Sequence, residues 1–465
     1  MLIRGGSHGD SIWAGAVWRP PPGKRGADFH AALVERPCSC VRRLAGQRSQ
    51  EVRFSRFLRN ERVTATEMIC HAVEGTAARV AGRDIVVVQD TSELAVGGRW
   101  ARDNGYGPIG KGGGLRGLLL HAALAVEVGS NALIGLADGK IWNRNEGDVV
   151  APRRSRVTAD KESQRWLDTT ARASEELGAA RCITILSDRE SDIYEHFACR
   201  PDNVHLIVRA CQNRKIEAGV ENGDALLLFA FVDGLPEADR FTAKIPAAPG
   251  RRERIAELAI RFAPVELSKP RHGAARELPD KVALVLVDVL EVSIPPDAAP
   301  IHWRLLTTYS VASLNEARKI VDLYRMRWVI EEFFRTLKTA GFDIEAADIS
   351  DPEVMIKLVA AATVAGVTVM QLVKARDGTT DQQLADAFDP DDQPILEALS
   401  NDLEGATALQ KNPHPKGSLA FASWVIGRLG GWTGYYGKAG PKVMRRGLDD
   451  FRRIKYGTTL RLRNV

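Results

Sequence analysis

The chain has 465 residues, 45% hydrophobic and 26% charged. That length holds roughly two to four domains, and the composition excludes a disordered, collagen-like or disulfide-scaffold chain. The net charge of +5 is unevenly spread: residues 1–75 carry 12 Lys/Arg against 7 Asp/Glu, residues 441–465 carry 8 against 2, and the stretch between is net acidic. Basic ends around an acidic middle suit either a chain that grips a polyanion and holds cations between, or two solvated basic faces.

In chain order, residues 1–50 show no clean period, and RPPPGKRG (19–26) is a breaker cluster. EVRFSRFLRN (51–60) reads as an amphipathic helix with Phe54, Phe57 and Leu58 on one face. Thr64-Ala-Thr-Glu67 predicts a capping box at the start of a helix reaching about Arg79. The period then changes. DIVVVQD (84–90) reads as a buried strand ending in Asp90; 118–128 and 132–142 read as two more, joined by a Gly-Ser-Asn hairpin turn. A helix is expected within 159–178, a strand over 182–188 ending in Asp188, a helix over 191–199 and a strand over 204–210. The order β-β-β-α-β-α-β predicts an α/β fold, with a mixed sheet and flanking helices, as in ribonuclease-H-like cores.

Residues 211–300 read as a β-rich insertion, with AELAIRF (256–262) and VALVLVDVL (282–290) as its clearest strands. Helical pattern resumes at Ser313 and continues past 370. The 16-residue apolar stretch Leu358–Val373 falls short of the ~20 residues a membrane span needs, so it reads as a buried helix, and no membrane partner is expected. KNPHPKGS (411–418) links to a helical tail. The N-terminus does not read as a signal peptide, and the six cysteines lack zinc-site spacing and read as reduced thiols. The expected division is a helical region over 1–80, a catalytic domain over 81–375 with its insertion at about 211–300, and a helical region over 376–465.

Two strands ending in aspartate, Asp90 and Asp188, admit two readings. Each is a turn former or helix cap, or the two meet at the carboxyl ends of neighbouring strands and share a divalent cation. Tyr324, Arg327, Glu331 and Lys338 are spaced 3, 4 and 7 apart, one stripe of a continuous α-helix. They are either a helix laced with i,i+4 ion pairs or a third carboxylate flanked by phosphate-binding groups. His121, on an apolar strand, reads as a satisfied structural histidine.

Tyr324-x2-Arg327-x3-Glu331-x6-Lys338 resembles the Tyr–Arg–Glu–Lys (YREK) signature of DDE transposases of the IS-four (Tn-five-like) insertion-sequence group. VVVQDTSEL (86–94) and LSDRESDIYEHF (186–197) resemble that group's two aspartate motifs, and segments at 107–126, 161–166 and 426–441 add to the likeness. The resemblance implies catalytic, metal-binding carboxylates at Asp90, Asp188 and Glu331, with two Mg²⁺ or Mn²⁺ ions per site. It implies DNA contacts by Tyr324, Arg327, Lys338 and Arg209, and a base-stacking role for Trp303. It further implies a cytoplasmic, nucleoid-associated bacterial cut-and-paste transposase. Such a protein binds transposon ends and target DNA as a homodimer formed through its C-terminal helices, and cleaves through a hairpin intermediate. Residues 1–50 do not match the group's end-recognition domain. A catalytically idle relic that still binds DNA, or a nuclease without strand transfer, is the alternative.

Overall fold

The computed structural model describes residues 22–35, 39–45, 47–110, 113–145, 158, 161–217, 226–245, 253–271, 277–294, 300–435 and 437–463. Cys38 and the segments at 1–21 and 218–225 are among the residues outside that set. The first helices are α1 (Pro22–Glu35), α2 (Val41–Ala45), α3 (Arg48–Leu58) and α4 (Ala65–Ala77). Helix α1 lies where the sequence shows no period. Pro22 takes the first helical position, where its fixed φ suits the start and its missing N–H costs nothing, and Phe29, Leu33 and Val34 are buried. Phe54, Phe57 and Leu58 are buried on α3, as their spacing predicts. At α4 the expected box is half-formed. The Thr64 hydroxyl accepts from the Glu67 N–H, while the Glu67 carboxylate turns to the Thr64 hydroxyl.

Strand β1 (Asp84–Val96) follows, then α5 (Gly98–Asp103), β2 (Gly107–Ile109), β3 (Leu115–Glu127) and β4 (Leu133–Trp142). After α6 (Gln164–Glu176) come β5 (Cys182–Ser187), α7 (Tyr194–Ala198) and β6 (Val204–Arg209). The next segment holds β7 (Lys215–Glu217), β8 (Leu226–Leu227), α8 (Leu228–Asp233), β9 (Asp239–Ile245), β10 (Arg254–Ser268), β11 (Lys281–Glu291) and β12 (His302–Thr307). The chain ends in helices α9 (Leu314–Arg325), α10 (Trp328–Arg335), α11 (Pro352–Ala375), α12 (Gln393–Leu403), α13 (Leu419–Leu429) and α14 (Pro441–Arg463). Parallel and antiparallel pairings both occur among the twelve strands of the described residues, so the fold is α/β with a mixed sheet, consistent with a ribonuclease-H-like core.

The chain divides into two compact units. One holds the described residues up to Ala81, Thr91–Asp148 and everything from Val329 onward; the other holds Gly82–Asp90 and Val149–Trp328. In the first unit β3 pairs antiparallel with β4 across a tight turn, in which Asn131 takes the left-handed conformation at φ 58°. Helix α11 is long and apolar enough to cross a membrane by length and composition. It is buried along most of its faces among its own unit's helices and β4. His121 is buried with Nδ1 2.9 Å from the Thr91 hydroxyl, a satisfied core histidine as expected.

In the second unit β1, β5 and β6 run parallel, with Val88 opposite Leu186 and Ser187 opposite Val208. Both faces of this trio are covered, so residues 85–89 are buried without alternation. The strands of the insertion do not form a separate layer. β12 pairs antiparallel with β6, β11 with β12 and β10 with β11, which prolongs the same hydrogen-bonded ladder.

Helices α13 and α14 cross almost backbone to backbone in the first unit. A Cβ at Gly447 would stand 1.7 Å from the Ile426 carbonyl oxygen, and one at Gly430 2.1 Å from that of Val443. Gly457, exposed on the same helix, has nothing within 4 Å. Helix propensity alone favours alanine over glycine by ~1 kcal/mol. Gly447→Ala is therefore expected to destabilise by about 2–3 kcal/mol, because overpacking outweighs propensity. Gly457→Ala should stabilise slightly, and denaturant titration of both variants checks the opposite signs.

Candidate active site

The register of the parallel trio places three predicted residues in one row. Asp90 stands two residues beyond Val88, and Asp188 two beyond its partner Leu186. Arg209 stands one beyond Val208, the partner of Ser187. Asp90, Asp188 and Arg209 therefore occupy adjacent positions on three neighbouring strands, facing the same side of the sheet. Leu305 of β12 lies opposite Arg209, and Trp303, two residues before it, shares that face.

Asp90 does not end its strand, contrary to the sequence reading. β1 continues to Val96 because Ser92, Leu94 and Val96 keep alternating into the interior. Asp188 does follow the last residue of β5. It adopts an extended conformation and caps the turn Arg189–Ser191, its Oδ1 accepting the Arg189 N–H at 2.6 Å.

Tyr324 and Arg327 join this row. The Arg327 guanidinium lies 3.2 Å from Asp90 Oδ2. Tyr324 is 4% exposed and meets Trp303 edge to face, with ring centroids 5.9 Å apart. Burial pushes the phenol up to about 12, Asp188 adds to the rise, and Arg327 and Arg209 oppose it. Its hydroxyl is buried with no partner at hydrogen-bond geometry among the described residues. Arg209 donates to the His302 carbonyl at 2.7 Å, and its guanidinium is shifted down chiefly by burial. Trp303 is 8% exposed, so it stands as a packed core ring in this structure. Six predicted residues thus gather in the second unit: Asp90, Asp188, Arg209, Trp303, Tyr324 and Arg327.

The remaining two lie in the first unit. Glu331 sits in the first turn of α10, and Lys338 in a π-helical segment, Thr336–Ala340, that follows. The four signature residues therefore do not ride one uninterrupted α-helix. The Met326 and Arg327 N–H groups bond three residues back, to Leu323 and Tyr324, which tightens and ends α9. Beyond α10 the turn widens around Thr336, whose hydroxyl donates to the Glu332 carbonyl and whose carbonyl accepts the Phe342 N–H at 3.0 Å. Lys338 Nζ is 3.5 Å from Glu345, which also accepts the Ala95 N–H at 2.9 Å. Glu332 is engaged by Arg335 at 3.7 Å and by the charge of buried Lys374.

The sequence reading overlooked Asp192. It is buried against Arg214 at 2.8 Å and accepts the Cys211 and Gln212 N–H groups, each at 2.8 Å. It thereby ties the turn after Asp188 to the loop after Arg209. An aspartate four residues after Asp188 in LSDRESD was the available signal.

Among the described residues no three His, Cys, Asp or Glu side chains are grouped to hold a metal between them. What the second unit offers is the Asp90–Asp188 pair. This all-oxygen donor set on rigid strands fits a hard cation such as Mg²⁺ or Mn²⁺ and does not fit a soft one.

The family model described as transposase DDE domain matches residues 145–365. The matched span includes Asp188, Arg209, Trp303, Tyr324, Arg327, Glu331 and Lys338, and it begins after Asp90. The match supports a DDE transposase, a family whose domain implies phosphoryl transfer on DNA. Divalent metal ions are in general use in that family.

Two outcomes follow from this geometry. Arg327 already neutralises Asp90, so Arg327→Ala should tighten Mn²⁺ binding to the DNA-free protein about three- to tenfold, as read by the spin-resonance signal of free Mn²⁺. An unchanged affinity would uncouple Arg327 from the carboxylate row. Fully buried His196 is shifted down to about 4 by desolvation, only partly offset by the Ser191 carbonyl. A lowered folded-state value means that the unfolded chain binds the extra proton first. Stability should therefore fall as pH drops from about 6.5 toward 4, by up to ~3 kcal/mol. Denaturant titration across that range, with His196→Gln as the flatter reference, checks the sign.

Proposed function

We propose that this protein is a cut-and-paste DNA transposase that binds the inverted ends of its own element as a homodimer and cleaves and joins DNA at Asp90, Asp188 and Glu331. The observation that carries the reading is the row of Asp90, Asp188 and Arg209 across three parallel strands, with the family match over 145–365 beside it. The Tyr–Arg–Glu–Lys spacing selects Glu331 over the adjacent Glu332 as the third carboxylate.

Asp90, Asp188 and Glu331 would hold two Mg²⁺ or Mn²⁺ ions. Bound there, the ions would activate the attacking oxygen and stabilise the leaving oxygen of an in-line displacement. The residues of the chain do the rest. Arg327 releases Asp90 when a phosphate takes over its guanidinium, so DNA binding and exposure of the carboxylate are one exchange. The Tyr324 hydroxyl, still protonated at neutral pH, donates to a phosphate oxygen. Arg209 and Lys338 add positive charge along the backbone track. The C-terminal helices supply the dimer contacts.

Trp303 stacks on an extruded base in the hairpin route, which its burial permits only if Tyr324 turns away. That burial favours, as a second reading, strand cleavage without a hairpin.

Linear DNA carrying the sequences that flank the gene tests the reading. Asp90→Asn, Asp188→Asn and Glu331→Gln should each cut more than about a thousandfold more slowly, with DNA binding within twofold. Cleavage at the native rate by any of the three removes that residue from the triad. Arg327→Ala and Lys338→Ala should each lower the log–log salt slope of DNA binding by about 0.9. Trp303→Ala should spare the first nick and slow the hairpin step roughly 5- to 150-fold, the loss of ~1–3 kcal/mol of stacking. Equal loss at both steps marks a packing role only.

A further inference from the structure

The reverse face of the carboxylate row carries a buried polar circuit. Gln89 and Ser187 immediately precede Asp90 and Asp188, so they point to the opposite side of the sheet, and they lie opposite each other in register. The Gln89 amide donates to the Ser187 hydroxyl and to the Thr170 hydroxyl of α6, each at 3.2 Å. His196 of α7 lies 2.8 Å from Thr170 through Nε2 and 2.7 Å from the Ser191 hydroxyl through Nδ1. Ser191 closes the loop, because its N–H bonds the Asp188 carbonyl at 3.1 Å.

Thr170 also lies 2.9 Å from the Trp166 carbonyl, and the two ring nitrogens of His196 span Thr170 on one side and Ser191 on the other, one as donor and one as acceptor in the neutral ring. All five side chains are almost fully buried. A packing layer there would be served as well by apolar groups of the same shape, because replacing both partners of a buried hydrogen bond is nearly neutral. A satisfied hydrogen-bonded circuit instead admits one strand register and one turn conformation. Both are what two neighbouring carboxylates need, since their repulsion would otherwise push the strand ends apart.

We propose that Gln89, Thr170, Ser187, Ser191 and His196 are positioning residues that hold Asp90 and Asp188 at cation-sharing separation. The inference rests on the reading of those two aspartates as metal ligands. The test is Mn²⁺ binding to the full-length, DNA-free protein, read by spin resonance, beside far-UV circular dichroism and the thermal midpoint. Thr170→Val keeps the shape and removes the hydroxyl; it should weaken Mn²⁺ binding about tenfold, ~1.4 kcal/mol. Thr170→Ser restores the hydroxyl and should bind Mn²⁺ within twofold of the native protein. Thr170→Val binding Mn²⁺ natively while melting earlier would overturn the proposal and leave a merely structural network. If Thr170→Val does not fold, Ser191→Ala carries the same test, with a three- to fivefold weakening expected and native affinity overturning it. The double variant Asp90→Asn/Asp188→Asn distinguishes the underlying reading. Native Mn²⁺ affinity there would remove the site and the proposal together, whereas lost affinity there with native affinity in Thr170→Val removes the circuit alone.

Discussion

The hydrogen-bond register of three parallel strands is the constraint on which the second unit's chemistry depends. Main-chain bonds between β1, β5 and β6 fix which residues stand side by side, and a slip of one position would turn every side chain to the opposite face. Asp90, Asp188 and Arg209 would then face inward, and Gln89 and Ser187 outward. The bidentate ion pair of Arg181 with Asp84 at the start of β1 and β5 adds a side-chain peg to that register. The buried Asp192–Arg214 pair does the same for the loops at the far ends of β5 and β6. Breaking such a pair from one side strands a buried charge, which makes it a stiff fastener whatever its net worth in stability.

Charge on the row is balanced locally. Asp90 and Asp188 are met by Arg327 and Arg209, and Tyr324 lies among all of them except Asp90 as a neutral polar group.

Much of this was legible in the sequence, for identifiable reasons. The β-branched runs at 84–90 and 182–188 mark buried strands because parallel strands covered on both faces read as continuous apolar segments. The hairpin at 129–131, the core role of His121 and the burial of α11 follow equally from local pattern. Helix α1 was hidden because its apolar residues cluster at its C-terminal half, behind a Pro-Gly-Lys-Arg-Gly start. The continuation of β1 past Asp90 was hidden because QDTSE carries polar residues on both sides of the alternation. The signature spacing presumed a single α-helix, whereas tightening after Tyr324 and widening at Thr336 depend on tertiary bonds that spacing does not encode. The side-chain circuit behind the carboxylates joins residues 89, 170, 187, 191 and 196, a juxtaposition that only the fold creates.

The way the insertion joins the sheet has a practical consequence. Because β11 and β10 continue the ladder beyond β12, the segment between β6 and β12 is not a removable appendage. A chain shortened across it would leave β12 with unpaired N–H and C=O groups along an open edge. Such an edge recruits strands from other copies, so the trimmed protein would be prone to edge-to-edge aggregation.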